Sequence, residues 1–260
     1  RKAVLKNYPI SGHFRYLLEA IRPEVRQYFI EGDHDRLPFS RSQRAMVYRR
    51  ARNIRADKSF GTLDDVYQTN HEYLSHSMEP VHVDPKDLRI TIGGPDCKQP
   101  YSASILNISA MSFGALSANA VRALSKGSAL GMFAMDTGEG GISRYHLEVD
   151  NDLIYEIGSG YFGCRTEEGH FDPVKFAIQA EQPRVKMIEI KLSQGAKPGH
   201  GGVLPAHKVS AEIAAARGVP VGVDCISPAR HSAFSGPMGL MAFIQQLRSL
   251  SGGKIGRAHV

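Results

Sequence analysis

The chain has 260 residues, of which 42% are apolar and 22% charged. That composition excludes a disordered or collagen-like chain, and no apolar run approaches the ~20 residues a membrane-crossing helix needs. Lys and Arg number 32 against 26 Asp and Glu, a net +6, but residues 1–58 alone hold 14 against 6. Such a basic block either contacts phosphate, on nucleic acid or an anionic membrane surface, or is a solvated Arg-rich helical face. It contains no recognised nucleic-acid motif, so no nucleic-acid partner is expected. Cys97, Cys164 and Cys225 are odd in number and lack a CxxC pair. They argue against a disulfide framework or a zinc site and for a reducing, cytoplasmic compartment.

The sequence opens at Arg1 rather than Met and reads as the interior of a larger protein. The first 84 residues read as a helical, basic extension. Phe14, Leu17, Leu18, Ile21, Val25, Tyr28 and Phe29 recur at helical spacing, with Pro23 where a kink or a new first turn falls. GTLDD (61–65) and the polar run to His76 read as a loop and a short helix. From residue 88 the texture changes. LRITIGG (88–94) and YSASILNIS (101–109) are β-type runs joined by turn residues. A strand at 105–111 then precedes a helix at 117–131, and strands at 132–138 and 153–160 follow. A helix at 174–182 leads to a strand at 187–193. An Ala-rich helix at 208–218 stops at Gly218, a strand is expected at 219–227, and a helix at 238–253 ends in a Gly pair. The final IGRAHV (255–260) reads as a translated sequencing adapter, which puts the end of the natural sequence near Lys254.

Strands alternating with helices predict a parallel α/β fold, either an open doubly wound sheet or a (β/α)8 barrel. Both place ligands beyond the carboxyl ends of the strands. About five strands fit between residues 85 and 254, too few to close, so a barrel here is incomplete and C-terminally truncated.

The strand ends carry the chemistry. ISAMSFGALS (108–117) puts small residues where a strand turns into a helix, which serves close approach of a flat ligand or simply a tight turn. DTGEGGISR (136–144) opens backbone N–H groups around one acid, Glu139. Glu139 can bind an ammonium or move a proton, or the loop is a surface turn. GSGYFG (158–163) matches GxGxxG formally, but no helix follows and no acid sits where a dinucleotide site needs it. EIKLSQGAKPGHGG (189–202) is the richest stretch. Lys191, Gln194 and Lys197 at a strand end can grip a dicarboxylate or the electron-rich edge of a cofactor. Lys191 inside a barrel needs an anionic partner, because an unpaired buried ammonium is expensive. DCISPARHSAFSG (224–236) offers Asp224, Arg230 and His231 without a hydrolase signature, and His200, His207 and His231 show no metal-binding spacing, so no metal site is expected.

In order along the chain, SAMSFGALS, TGEGG and IKLSQGAKPGHGGVLPAHKV resemble the FMN-binding domain of the glutamate synthase family, over about residues 85–254. The NYPISGHFRYLLEAIRPEVRQYFIEGD segment resembles the leader of its stand-alone, domain-sized members. The resemblance implies a (β/α)8 barrel with FMN at its C-terminal face, fed by an electron-donor protein. The implied reaction gives a hydride to 2-iminoglutarate, formed from 2-oxoglutarate and an ammonia source, and yields glutamate. It also implies that Ser109, Ala110, Met111 and Ser112 lie along the flavin. Lys191 is then near both ring and 2-oxo acid, and Glu139, Gln194 and Lys197 hold substrate. The family's phosphate loop and iron–sulfur cysteines belong to later strands, so the 260-residue chain is expected to bind FMN poorly and to be inactive alone. Membrane attachment through upstream residues, on the cytoplasmic side, is a further implication. A related barrel acting on another 2-oxo acid or amine, and a non-catalytic membrane-tethered binding protein, are the alternatives.

Overall fold

The computed structural model describes residues 5–6, 8–32, 38–54, 65–95, 97–194 and 199–253. They fall into two compact units, one ending at Met78 and the other beginning at Glu79. Lys197 and residues 255–260 lie outside the described residues.

In the first unit, α1 (Ser11–Val25) continues past Pro23 and passes into a π-helical turn, Arg26–Ile30. Proline removes one intrahelical hydrogen bond. Here the expected break at Pro23 gives way to a change of winding three residues later. The apolar stripe exists, but Phe14, Leu17, Leu18 and Ile21 are exposed instead of covered. α2 (Arg41–Ala51) begins at a capping box. Ser40 Oγ accepts from the Gln43 N–H at 3.2 Å and Gln43 Oε1 accepts from the Ser40 N–H at 2.9 Å. Arg44 of α2 pairs with the buried carboxylate of Glu31. Residues 65–80 are turns, bends and irregular chain, without the expected short helix among the described residues. Leu74 and Met78 are 98% exposed there, so the stretch has no apolar face to bury.

The second unit opens with an antiparallel hairpin, β1 (Arg89–Ile92) and β2 (Tyr101–Ser104), with Arg89 opposite Ser104. The parallel sheet follows as β3 (Met135–Asp136), β4 (Leu153–Ile157) and β5 (Val185–Ile190), hydrogen-bonded in that order. Ile108 adds a parallel bridge to Met135 at the outer edge. α3 (Ala118–Gly131) connects Ile108 to β3, capped by Ser117 Oγ on the Ala120 N–H. α4 (Pro173–Ala180) connects β4 to β5, capped by Asp172 on the N–H groups of Val174 and Lys175. Nine residues separate Gly163 from the start of α4 at Pro173, so GSGYFG opens no helix.

The expected strand at 219–227 is not a fifth parallel strand. Only Cys225–Ile226 (β7) is extended, and it pairs antiparallel with β6 (Val203–Leu204). Gly222 turns at φ +72°, and Val221 and Val223 are exposed. Alternating valines suggest a strand, but a strand needs a neighbour for its N–H and C=O groups. The described residues of this stretch, 192–194 and 199–235, therefore form one excursion from the end of β5. It carries α5 (Ala211–Arg217) and returns into α6 (Gly236–Leu250). The architecture is mixed α/β with an open parallel sheet, and among the described residues that sheet does not close.

Alternation sorts the sheet residues onto two faces. Met135, Leu153, Tyr155, Ile157, Val185, Ile188 and Ile190 join one buried cluster with Phe176 of α4 and with Phe243 and Leu247 of α6. The opposite face has two layers. At the amino ends of the strands, Ala134, Ile154 and Met187 pack with Tyr101 and Ala103 of the hairpin. Toward the carboxyl ends, Glu156 and Glu189 are register partners, with Asp136 beside Ile154 on β3 and Lys191 just past β5. The apolar layer shuts the bottom of the face, and the polar layer points at the loops. No helix among the described residues is long and apolar enough to cross a membrane.

Phe176 is fully buried, stacked on Tyr155 at 6.1 Å and tilted against Phe171 at 5.6 Å. Phe176→Ala is expected to lower unfolding free energy by about 3–5 kcal/mol in a denaturant titration. The exposed Val174→Ala, on the same helix, is expected to change it by roughly 0.5 kcal/mol or less.

Candidate active site at the strand ends

Two distant segments meet at the carboxyl ends of β3 and β5. Glu139, from the loop after β3, is ion-paired with Lys191 at 3.4 Å and accepts a hydrogen bond from Gln194 Nε2 at 2.9 Å, both on Oε1. Ser227, next to β7, donates to Glu139 Oε2 at 3.4 Å. Lys191 also lies 3.9 Å from Glu156 Oε1, below it in the polar layer. The anionic partner that a buried Lys191 requires is thus supplied twice. Gly158 lets this happen, since a Cβ there would sit 2.6 Å from Glu139 Oε2. A narrow crevice beside the pair is lined by Ser159, Ser193, His200 and Pro228 as well as by Glu139, Lys191 and Gln194.

The strand-end turn 109–112 lies against the same loop. Ser109 is exposed, while Ala110, Met111 and Ser112 are half-buried. A Cβ on Gly140 would come within 2.9 Å of the Ser112 side chain, so the TGEGG loop backs directly onto this turn. Across both lies α5. Its Arg217 donates to Ser112 Oγ and to the Phe113 carbonyl, each at 3.3 Å, and stacks 4.9 Å from the Phe162 ring. The Gly163 N–H donates to the Arg217 carbonyl at 3.0 Å. At the other end of α5, Glu212 accepts from the Tyr145 hydroxyl at 2.7 Å and pairs with Arg144.

Arg217 is 5% exposed, its Nε has no partner, and burial pulls its pKa down from the usual guanidinium value. His231 is held as a neutral clamp. Its Nε2 meets the Lys191 carbonyl at 2.8 Å and its Nδ1 the Tyr161 hydroxyl at 3.0 Å, which assigns the proton to Nε2. Burial lowers its pKa, and the bond to the Lys191 carbonyl opposes that shift.

Of the residues singled out from sequence, Glu139, Lys191 and Gln194 come together, and Ser112 joins them through Gly140 and Arg217. Lys197 lies outside the described residues. Asp224 is exposed and accepts from the Ala206 N–H at 2.6 Å, a loop-closing role. Arg230 is exposed, and no ion pair of its side chain is found among the described residues. Sequence reasoning misses Glu156, Arg217 and Ser227. An arginine in the last turn of a helix is commonplace. Glu156 does leave a signal, as an acid in the middle of a strand that is apolar on both sides.

The fit of a flavin can be tested on these groups. The Lys191 ammonium beside the crevice suits the electron-rich, acceptor-bearing edge of such a ring, and Ser109–Ser112 are exposed or half-buried small or flexible residues beside it. The residues present fit the ring end of that cofactor.

Comparison with known proteins decides the family. The family model for a conserved region in glutamate synthase matches residues 46–256. The chain belongs to the glutamate synthase family. A glutamate synthase large subunit-like protein of Bacillus subtilis is 35% identical, over 98% of this chain and 56% of its own length. An archaeal glutamate synthase [NADPH] of Methanocaldococcus jannaschii is 42% identical over 48% of this chain and 22% of its own. A large subunit-like protein of Rhizobium meliloti is 31% identical over 64% of this chain and 35% of its own. The chain therefore spans little more than half the length of the first of these relatives and less of the others. Its family is one of glutamate synthase-type oxidoreductases.

The α5 contact rests on Gly141, which has φ +79° and would bring a Cβ within 2.4 Å of the Ala216 carbonyl. Gly141→Ala is expected to destabilise the fold by about 2 kcal/mol or more and to speed amide exchange in α5. Gly127→Ala, in the middle of α3 with nothing within 4 Å, is expected to stabilise by roughly 0.5–1 kcal/mol.

Proposed function

We propose that these residues are the first half of a (β/α)8 barrel whose strand ends make glutamate from 2-oxoglutarate and ammonia with FMN as cofactor. The observation that carries the reading is the Glu139–Lys191–Gln194 constellation, which joins two separate family motifs within 2.9–3.4 Å at the carboxyl ends of parallel strands. Ligand chemistry sits at that end in such folds.

In this reading Lys191 binds a carboxylate of the 2-oxo acid and offsets negative charge that develops at the reacting carbon. Glu139 holds the Lys191 ammonium and the Gln194 amide on a single oxygen, which fixes where both donors point. Its other oxygen is steadied by Ser227 and is the group that attracts ammonium or an iminium nitrogen. Gln194 and Lys197 orient the second substrate carboxylate. Ser109, Ala110, Met111 and Ser112 lie along the cofactor, with Arg217 fixing Ser112. When bound and reduced, FMN would supply the hydride for the iminium carbon. The NADPH in the names of the archaeal relatives makes a nicotinamide-dependent electron-donor protein the partner proposed here. An iron–sulfur cluster in segments beyond this chain would serve the same electron path.

The test uses the natural protein that contains these residues, loaded with FMN and chemically reduced. Glutamate formation from 2-oxoglutarate and ammonium is expected, and Lys191→Met and Glu139→Gln should each lower kcat/KM at least about 100-fold, on the order of 3 kcal/mol. Methylamine in place of ammonium tests the alternative amine. Unchanged turnover in both variants, or turnover only with another 2-oxo acid or amine, would overturn the reading.

A further inference from the structure

Beneath Lys191 lies a group of three carboxyls that the proposed reaction does not use. Asp136, Glu156 and Glu189 stand on adjacent strands β3, β4 and β5, on the same face, and one oxygen from each lies within 4.8 Å of the others. Asp136 is 3% exposed and Glu156 2%. Asp136 Oδ1 accepts from the Gly138 N–H at 2.8 Å, but its Oδ2 is buried with no hydrogen-bond partner, and Glu156 Oε1 is buried without a hydrogen bond too, facing the Lys191 ammonium at 3.9 Å. Three ionised carboxylates in contact cannot satisfy one another, because an ionised carboxylate only accepts. The charged groups that face the cluster are Lys191 from above and, beyond it, Glu139. Arg217 and His231 act on Glu139 from α5 and the 224–236 segment. Lys191 divides its single charge between Glu139 and Glu156, so it cannot neutralise the triad.

We propose that Asp136, Glu156 and Glu189 share protons as a buried cluster, and that Glu156 is the positioning residue through which the cluster holds the Lys191 ammonium. Each shared proton removes one negative charge and turns an acceptor–acceptor contact into a donor–acceptor pair. The orphaned oxygens of Asp136 and Glu156 are then partnered. A divalent cation is the other way to neutralise the site. The geometry favours protons. The crevice at the strand ends is lined by Glu139 and Lys191 and by none of the three acids. A cation would also have to sit beside the Lys191 ammonium.

Burial and the neighbouring carboxylates push Asp136 well above the usual range, and burial pushes Glu156 to about 7 despite the opposing pull of Lys191. The folded chain then binds more protons than the unfolded chain from the ordinary carboxyl range up to about pH 7. The stability this adds is fully present at acid pH and is lost as pH rises through 7. The cluster itself stands whatever the reaction. Only its service to Lys191 rests on the proposed function.

The experiment is a carboxyl carbon-13 NMR titration of the 260-residue chain, following the Lys191 side-chain nitrogen in parallel. At least one carboxyl is expected to titrate above pH 6, and the Lys191 signal should move with the same midpoint. In Glu156→Gln that Lys191 step should vanish, and stability should stop falling between pH 5 and pH 8. If Glu156→Gln does not fold, the wild-type titration decides alone. Titration of every carboxyl below pH 5.5 would overturn the proposal. So would one equivalent of bound metal whose removal by chelator creates the high step. Absence of glutamate synthesis in the natural protein that contains these residues, with the titration intact, would count against the proposed function and leave the cluster standing.

Discussion

The ammonium of Lys191 between two carboxylates is the contact on which the rest of the strand-end architecture depends. A lysine this close to the buried face of a sheet is unfavourable without counter-charge. Glu139 meets it from the loop after β3 and Glu156 from below on β4. Those two partners tie three consecutive parallel strands together at their carboxyl ends. They also require the TGEGG loop to fold down over the sheet and not out into solvent. Gly158 provides the room, and the Ser112 turn provides the floor.

A second constraint follows from the open sheet. Past β5 the chain makes a long excursion that returns as a cover. α5 spans the loops after Ile108, β3 and β4, held by Glu212 at one end and by Arg217 at the other. His231 then clasps the Lys191 carbonyl on the way into α6. The same segment therefore covers the strand ends and fixes the backbone of the residue that matters most there. In a catalytic reading this is how water is kept from the reacting groups.

Much of this is legible in the sequence, and the gaps have physical causes. The hairpin, α3, β3, β4, α4 and β5 announce themselves by period and by turn residues. Two of the strand-end motifs single out Glu139, Lys191 and Gln194 by residue type and position alone. The segment 219–227 misleads because alternating valines fit either a half-buried strand or an exposed loop, and only the lack of a paired strand beside 219–224 among the described residues separates the two. The α1 stripe marks the helix correctly but says nothing about what would cover it, and Phe14 and Leu17 are exposed. Glu156 and Asp136 escape notice when strand residues are read for apolar periodicity. An acid placed on the inward face of an apolar strand is the sign to look for. Arg217 leaves no sign, since its role depends on a fold-back that no local pattern encodes.

The central claim is tested most directly by a double-mutant cycle between Lys191 and Glu139. Lys191→Met, Glu139→Gln and the double variant are compared with wild type in chemical denaturation at pH 7. Strong non-additivity is predicted, with a coupling energy of about 1 kcal/mol or more, because Lys191→Met strands the Glu139 carboxylate and Glu139→Gln leaves the Lys191 ammonium with Glu156 alone. Additive losses, within about 0.5 kcal/mol, would contradict the claim and would reduce the pairing of these two residues to proximity without energetic consequence.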